Sequence, residues 1–159
     1  NARFHMQDVE MEYVTGRSMC HHQISHAFEP DDVARMVHRV FAGRVQFHDG
    51  TDEIAPGITV HKIGGHTKGL QCVRVATRRG HVVLASDATH FYAHIDTGRA
   101  FRVLYNLGEL LEGYATLRRL ASSNNHVIPG HDPLVLARYP AASEQTAGWI
   151  ARLDADPAQ

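Results

Sequence analysis

Cysteine is scarce in this chain. Cys20 and Cys72 are its only two and form no Cys-x-x-Cys pair. That leaves no basis for a disulfide framework; free thiols in a reduced, cytoplasmic setting are the expectation. Long apolar runs are also missing, so nothing reads as a membrane-spanning helix, and the N-terminus shows no secretory pattern. Charge of one sign is missing too: 16 Lys and Arg face 17 Asp and Glu, a formal net charge of −1. This removes the electrostatic case for an anionic membrane, and scattered arginines make no nucleic-acid patch. There is no internal repeat, no low-complexity tract and no linker.

What is present is 43% hydrophobic and 21% charged over 159 residues. This suits one soluble, globular domain, 1–159, with a fair core. Thirteen histidines stand out; they form no terminal run and are not a purification tag. The chain opens on Asn1-Ala2-Arg3-Phe4-His5 rather than Met, as if in mid-fold. A fragment or trimmed chain is the expectation.

The patterns predict a strand at 2–6, a helix at 8–14 closed by Gly16, and a helix from Pro30 to Gly43. Val33, Met36, Val37, Val40 and Phe41 form an apolar stripe on the latter. Core packing is the expectation for the stripe; a lid or a dimer contact, and so a homodimer, are the alternatives. Strands follow at 44–48, 53–55, 58–63, 70–77 and 81–86, with Val82 to Ala85 apolar on both faces as an interior strand requires. A helical turn is predicted at 88–94. Asn106 and Glu109 resemble a capping box for the strongest helix, whose buried stripe is Leu107, Leu110, Leu111, Tyr114, Leu117 and Leu120. A strand at 126–128, a short helix at 133–138 and a last strand at 148–153 complete the list. Strands alternating with helices predict an α/β or α+β layered domain.

Three strand ends carry the chemistry. Ile63-Gly64-Gly65-His66-Thr67-Lys68-Gly69 sets an imidazole in a glycine loop. Leu84-Ala85-Ser86-Asp87 ends an apolar strand in a carboxylate. Val127-Ile128-Pro129-Gly130-His131-Asp132 ends another in a Pro-Gly turn and a histidine. His, Asp and His suit a borderline metal such as zinc. Each is weak alone: a histidine at a turn is usually solvated, and Asp87 has an alternative as a helix N-cap. His22 and His26, if helical, are i,i+4 neighbours able to share a metal; a polar surface insert is the plainer reading.

Taken in order, Gly-His-Thr-x-Gly, the strand ending Ser-Asp, and Pro-Gly-His-Asp resemble the second half of the metallo-β-lactamase superfamily, best its N-acyl-homoserine lactonase-like branch. The likeness runs over almost the whole chain. It implies part of an αββα sandwich lacking the N-terminal portion, with two zinc ions at one edge of the sheets. His66 would bind the first ion, Asp87 would bridge both, and His131 would bind the second. A hydroxide between the metals would open a lactone ring, with Asp87 orienting it. Lactonases of this branch carry a tyrosine three residues after the aspartate; here His90 stands there and Tyr92 follows, and both are candidate catalytic groups. The superfamily's HxHxDH motif is absent, and His21-His22-Gln23-Ile24-Ser25-His26 lacks its aspartate. The expectation is that the motif lies upstream of Asn1. The intact parent would then be the hydrolase, and the chain alone would be inactive, because three donors under-coordinate two metals.

Two other readings stay open. A thioester, β-lactam or phosphoester substrate would use the same motifs, and a metal-free scaffold domain would keep only the shape.

Overall fold

Val82 to Ala85, apolar on both faces, lies inside a sheet in the computed structural model, which describes residues 2–158. The sheet has five strands, β3 (Thr51–Ala55), β4 (Ile58–Lys62), β5 (Gln71–Thr77), β6 (Gly80–Ser86) and β7 (Val127–Pro129), neighbouring in that order. β3 to β6 are antiparallel; β7 lies parallel to β6. A parallel neighbour needs a crossover, supplied here by α4 (Tyr92–Thr97) and α5 (Leu107–Leu120). Upstream, β1 (Phe4–Gln7) and β2 (Val45–His48) form a parallel pair, joined through α1 (Asp8–Thr15), α2 (His22–Ser25) and α3 (Pro30–Phe41). α6 (Leu134–Arg138) follows β7.

Strand alternation decides what each face of β6 buries. Val83 and Ala85 meet Leu110, Tyr114 and Leu117 of α5, with Cys72 and Val127, in the larger core. Val82 packs with Ile128 and Tyr139 on the other face, beside Leu84 and Val135. Leu110 and Leu117 are fully buried, each worth roughly 1.5–3 kcal/mol of apolar transfer. Cys72 sits in the same core, and burial pushes its thiol up to about 12, so it stays an unreactive thiol. Both cysteines are free. No helix among the described residues is long and apolar enough to cross a membrane.

Polar contacts join the small sheet to the large one. Gln7, almost fully buried, donates to Gly50 O and to Gln71 Oε1 and accepts from Gly50 N. His5 Nδ1 lies 2.9 Å from His48 Nε2, and His48 Nδ1 lies 2.8 Å from Asp52 Oδ2. The C-terminal segment is tied down by Arg79, which donates to Leu153 O and Asn125 O and stacks over Tyr139.

Four expectations need correction. The α3 stripe is not core: no residue of that helix is buried, and Phe41 is 89% exposed. Helical spacing marks which residues share a face, but burial needs a second element to cover it. On α5, Leu107 and Leu111 are exposed while Leu110, Gly113, Tyr114 and Leu117 are buried, so the buried strip is narrower than the apolar one. The helical turn expected at 88–94 is instead a helix over Tyr92–Thr97 with Phe91 at its cap, which also removes the alternative of Asp87 as a helix cap. Residues 148–153 form no strand; the segment makes one isolated bridge, Ala141 with Ala151.

Candidate metal centre

The loop carrying His66 is shaped by what lies against it. Gly65 has a φ of +83°, and a Cβ there would sit 2.5 Å from Leu110 Cα. The backbone therefore lies directly on the start of α5, an approach only glycine permits. Tyr105 N and Asn106 N donate to Gly65 O, and Gly65 N donates to Glu109 Oε2. Asn106 caps α5 by accepting from Glu109 N. The Glu109 carboxylate does not return to the Asn106 backbone as a full capping box would; it holds the His66 loop instead. His66 Nδ1 lies 2.7 Å from Val103 O, so that nitrogen donates to the carbonyl and Nε2 is the one turned toward Asp87.

Asp87 follows a strained position. Ser86 has a φ of +48°, unusual outside glycine and costing about 1–2 kcal/mol. It coincides with the register shift between β6 and β7. Gly130 lets the β7 turn approach: a Cβ there would meet Ser86 O at 2.7 Å and Asp87 Oδ1 at 3.2 Å. The two turns are further joined by Gly130 N to Thr89 O and His131 N to His90 O. Asp132 accepts from Tyr92 N and Leu134 N, so it fixes the starts of α4 and α6.

These turns bring four side chains together. His66 Nε2 lies 3.6 Å from Asp87 Oδ2, and His131 Nε2 lies 2.7 Å from Asp87 Oδ1. His90 Nε2 lies 3.9 Å from Asp87 Oδ1. Ligand atoms of His66, Asp87 and His90 all fall within 4.8 Å of one another. The His90 ring stacks on Phe101 at 3.7 Å and meets His131 edge-on at 4.8 Å. Its Nε2 is buried and has no hydrogen-bond partner, which costs about 1–3 kcal/mol. Burial, against the raising effect of Asp87 and helped by the neighbouring histidines, lowers His90 to about 4, so the ring is neutral at pH 7. A carboxylate with two imidazoles beside it, one of them with an unsatisfied nitrogen, fits a borderline divalent ion.

Tyr92 does not join them. Its ring lies under the Arg138 guanidinium at 4.0 Å. Its buried hydroxyl makes no hydrogen bond, and burial, with Tyr139 adding, pushes it up to about 12. His22 and His26 stack at 6.2 Å on the exposed surface. Sequence reasoning missed Phe101 and Val103, which come from a loop with no motif of its own, and read Glu109 only as half of a capping box rather than as the group that holds the His66 loop. It also missed His5, which lines a cavity of about 380 Å³ together with His66 and Asp87.

A pH effect follows. His90, and His61 on β4 (lowered by burial and then by Arg74), both have folded pKa values below the unfolded one. Between about 6.5 and 4 the unfolded state binds more protons, so stability should fall as pH drops through that window. For His90 the loss should be on the order of 1–2 kcal/mol, reduced because the ring is partly open to water. Thermal unfolding of the metal-free protein from pH 7.5 to 4.5 checks it. His61→Gln should flatten part of the slope; a Tm that rises on acidification is the opposing result.

Solved structures share this arrangement of strands and helices. An N-acyl homoserine lactone hydrolase, with N-hexanoyl-L-homoserine bound at its catalytic metal center, superposes with a TM-score of 0.65 at 18% identity, over 83% of this chain and 48% of that one. A hydrolase of the beta lactamase superfamily, AbOPH, gives 0.61 at 16% identity, over 84% and 48%. The fold is that of the metallo-β-lactamases. A third neighbour, AidC, a dizinc quorum-quenching lactonase holding a product, gives 0.59 at 14% identity over 84% and 49%. The chain spans about half the length of each of these structures. At the level of sequence, no protein-family model and no curated protein matches it. Within this metallo-β-lactamase fold, His66, Asp87 and His131 follow the ends of β4, β6 and β7.

Proposed function

We propose that this chain is the C-terminal portion of a metal-dependent hydrolase whose intact form opens the lactone ring of N-acyl-homoserine lactones. One observation carries the reading: the two oxygens of Asp87 each face a different imidazole, Oδ2 toward His66 and Oδ1 toward His131. Asp87, His66 and His131 are the residues that would hold the metal here. The HxHxDH donors that would complete both shells are absent from this sequence. Bound zinc would supply an activated water and polarise the carbonyl. The chain's own residues do the rest. Val103 O sets the tautomer of His66, Asp87 orients the water, and His90 borders the same opening. The solved lactonases with bound products support a small ester or lactone as the substrate class.

The test is zinc content and turnover of the protein together with the sequence that precedes Asn1. Two equivalents of zinc are expected, with faster hydrolysis of N-hexanoyl-L-homoserine lactone than of a glutathione thioester. Faster thioester hydrolysis would move the substrate class and keep the metal. No zinc in active protein would remove the metal. Zinc-free, inactive protein would leave the metal-free scaffold as the reading.

A further inference from the structure

We infer that His90 is itself a metal donor, so that His66, Asp87 and His90 form a site for one divalent transition ion within this chain alone. This rests on the metal reading above but assigns a residue that the lactonase resemblance places at a tyrosine position. Four observations carry it. The ligand atoms of the three residues lie within 4.8 Å of one another, a spacing that one ion among them can satisfy. Among the described residues, no other group of three His, Cys, Asp or Glu side chains meets that spacing. His90 Nε2 is buried and unpartnered, and a donor atom left unsatisfied beside a carboxylate is what a metal would occupy. Both imidazoles are also pre-oriented. His66 is fixed through Nδ1 by Val103 O, and His90 is clamped flat on Phe101 at 3.7 Å. A ligand whose ring is held by its neighbours loses little freedom on binding.

His131 is the weaker donor for a first ion. Its side chain is 58% exposed, and its Nε2 is already 2.7 Å from Asp87 Oδ1. It lies outside the group of three. Two nitrogens and one carboxylate oxygen leave positions open for water, the pattern of two-histidine, one-carboxylate sites. The prime candidates are therefore zinc, cobalt and ferrous iron rather than magnesium or calcium, which prefer oxygen shells.

The test uses the full 159-residue chain and Zn²⁺, with binding measured by calorimetry and the histidine ring nitrogens followed by NMR. One equivalent is expected, and the His90 Nε2 resonance should shift on zinc addition. His90→Phe keeps an aromatic ring against Phe101 and removes the donor; it should weaken zinc binding by about 100-fold or more. His131→Gln should change it by no more than about 5-fold. Circular dichroism of each variant checks that it folds. Wild-type affinity in folded His90→Phe, or zinc shifts confined to His66 and His131, would overturn this assignment and leave the proposed hydrolase standing. If wild-type protein takes up no zinc, both this assignment and binding of metal by this chain fail.

Discussion

Asp87→Asn should weaken zinc binding to this chain by about 1,000-fold or more while barely changing the stability of the metal-free fold. Asp87 is the group that every donor in the cluster faces: His66 through Oδ2, His131 and His90 through Oδ1. It is also the only carboxylate in the group of three. Asparagine keeps the shape but removes the negative charge. Its amide nitrogen is a donor, so one of the two faces would present N–H groups to a cation. The fold should not suffer, because the Asp87 side chain is one-third exposed and caps no helix. Its main partner, His131, is mostly exposed, and such pairs contribute about 0–1 kcal/mol. Calorimetric zinc titration beside urea unfolding separates the two quantities. Wild-type zinc affinity in Asp87→Asn would mean that the ion sits elsewhere.

Gly65→Ala should have the largest effect on the fold, about 3–5 kcal/mol of a total near 5–15 kcal/mol. The new methyl would lie 2.5 Å from Leu110 Cα and 2.6 Å from Leu110 N. Those are backbone atoms of a helix held by the core through Leu110, Tyr114 and Leu117, so no side chain can turn aside. The φ of +83° adds strain of its own. The hydrogen bonds that Tyr105 N and Asn106 N donate to Gly65 O, and that Gly65 N donates to Glu109, would be displaced with it, carrying His66 away from Asp87. Gly98→Ala is the control: φ is +68° there, but nothing lies within 4 Å, so only about 1 kcal/mol of strain is expected. Urea denaturation of both variants measures the difference. A Gly65→Ala protein as stable as Gly98→Ala would show that the loop does not rest on α5 as described.

Much of the architecture was legible because it is written in local patterns. The continuous apolar run of β6, the Pro56-Gly57 turn between β3 and β4, and the Asn106 cap each act within a few residues. The α3 stripe shows the limit of that logic. Its spacing is helical and the helix forms, yet Phe41 stands in solvent because no element covers it. The site divides in the same way. His66, Asp87 and His131 could be named from glycine, serine and proline turns at strand ends, since those turns mark where side chains leave a sheet. Phe101 and Val103 could not, since they act on His90 and His66 from a loop with no pattern.

By its composition and turn chemistry alone, the sequence determined a layered α/β chain with a histidine or an aspartate at three strand ends. Only the tertiary structure decided that these ends meet, that Glu109 and Leu110 shape the first of them, and that His90 turns inward while Tyr92 turns away under Arg138. The physical reason is range. Backbone preference and periodicity act over one or two turns of chain, whereas the cluster depends on the parallel return of β7 beside β6, some forty residues on, and on the close approach that Gly65 and Gly130 allow.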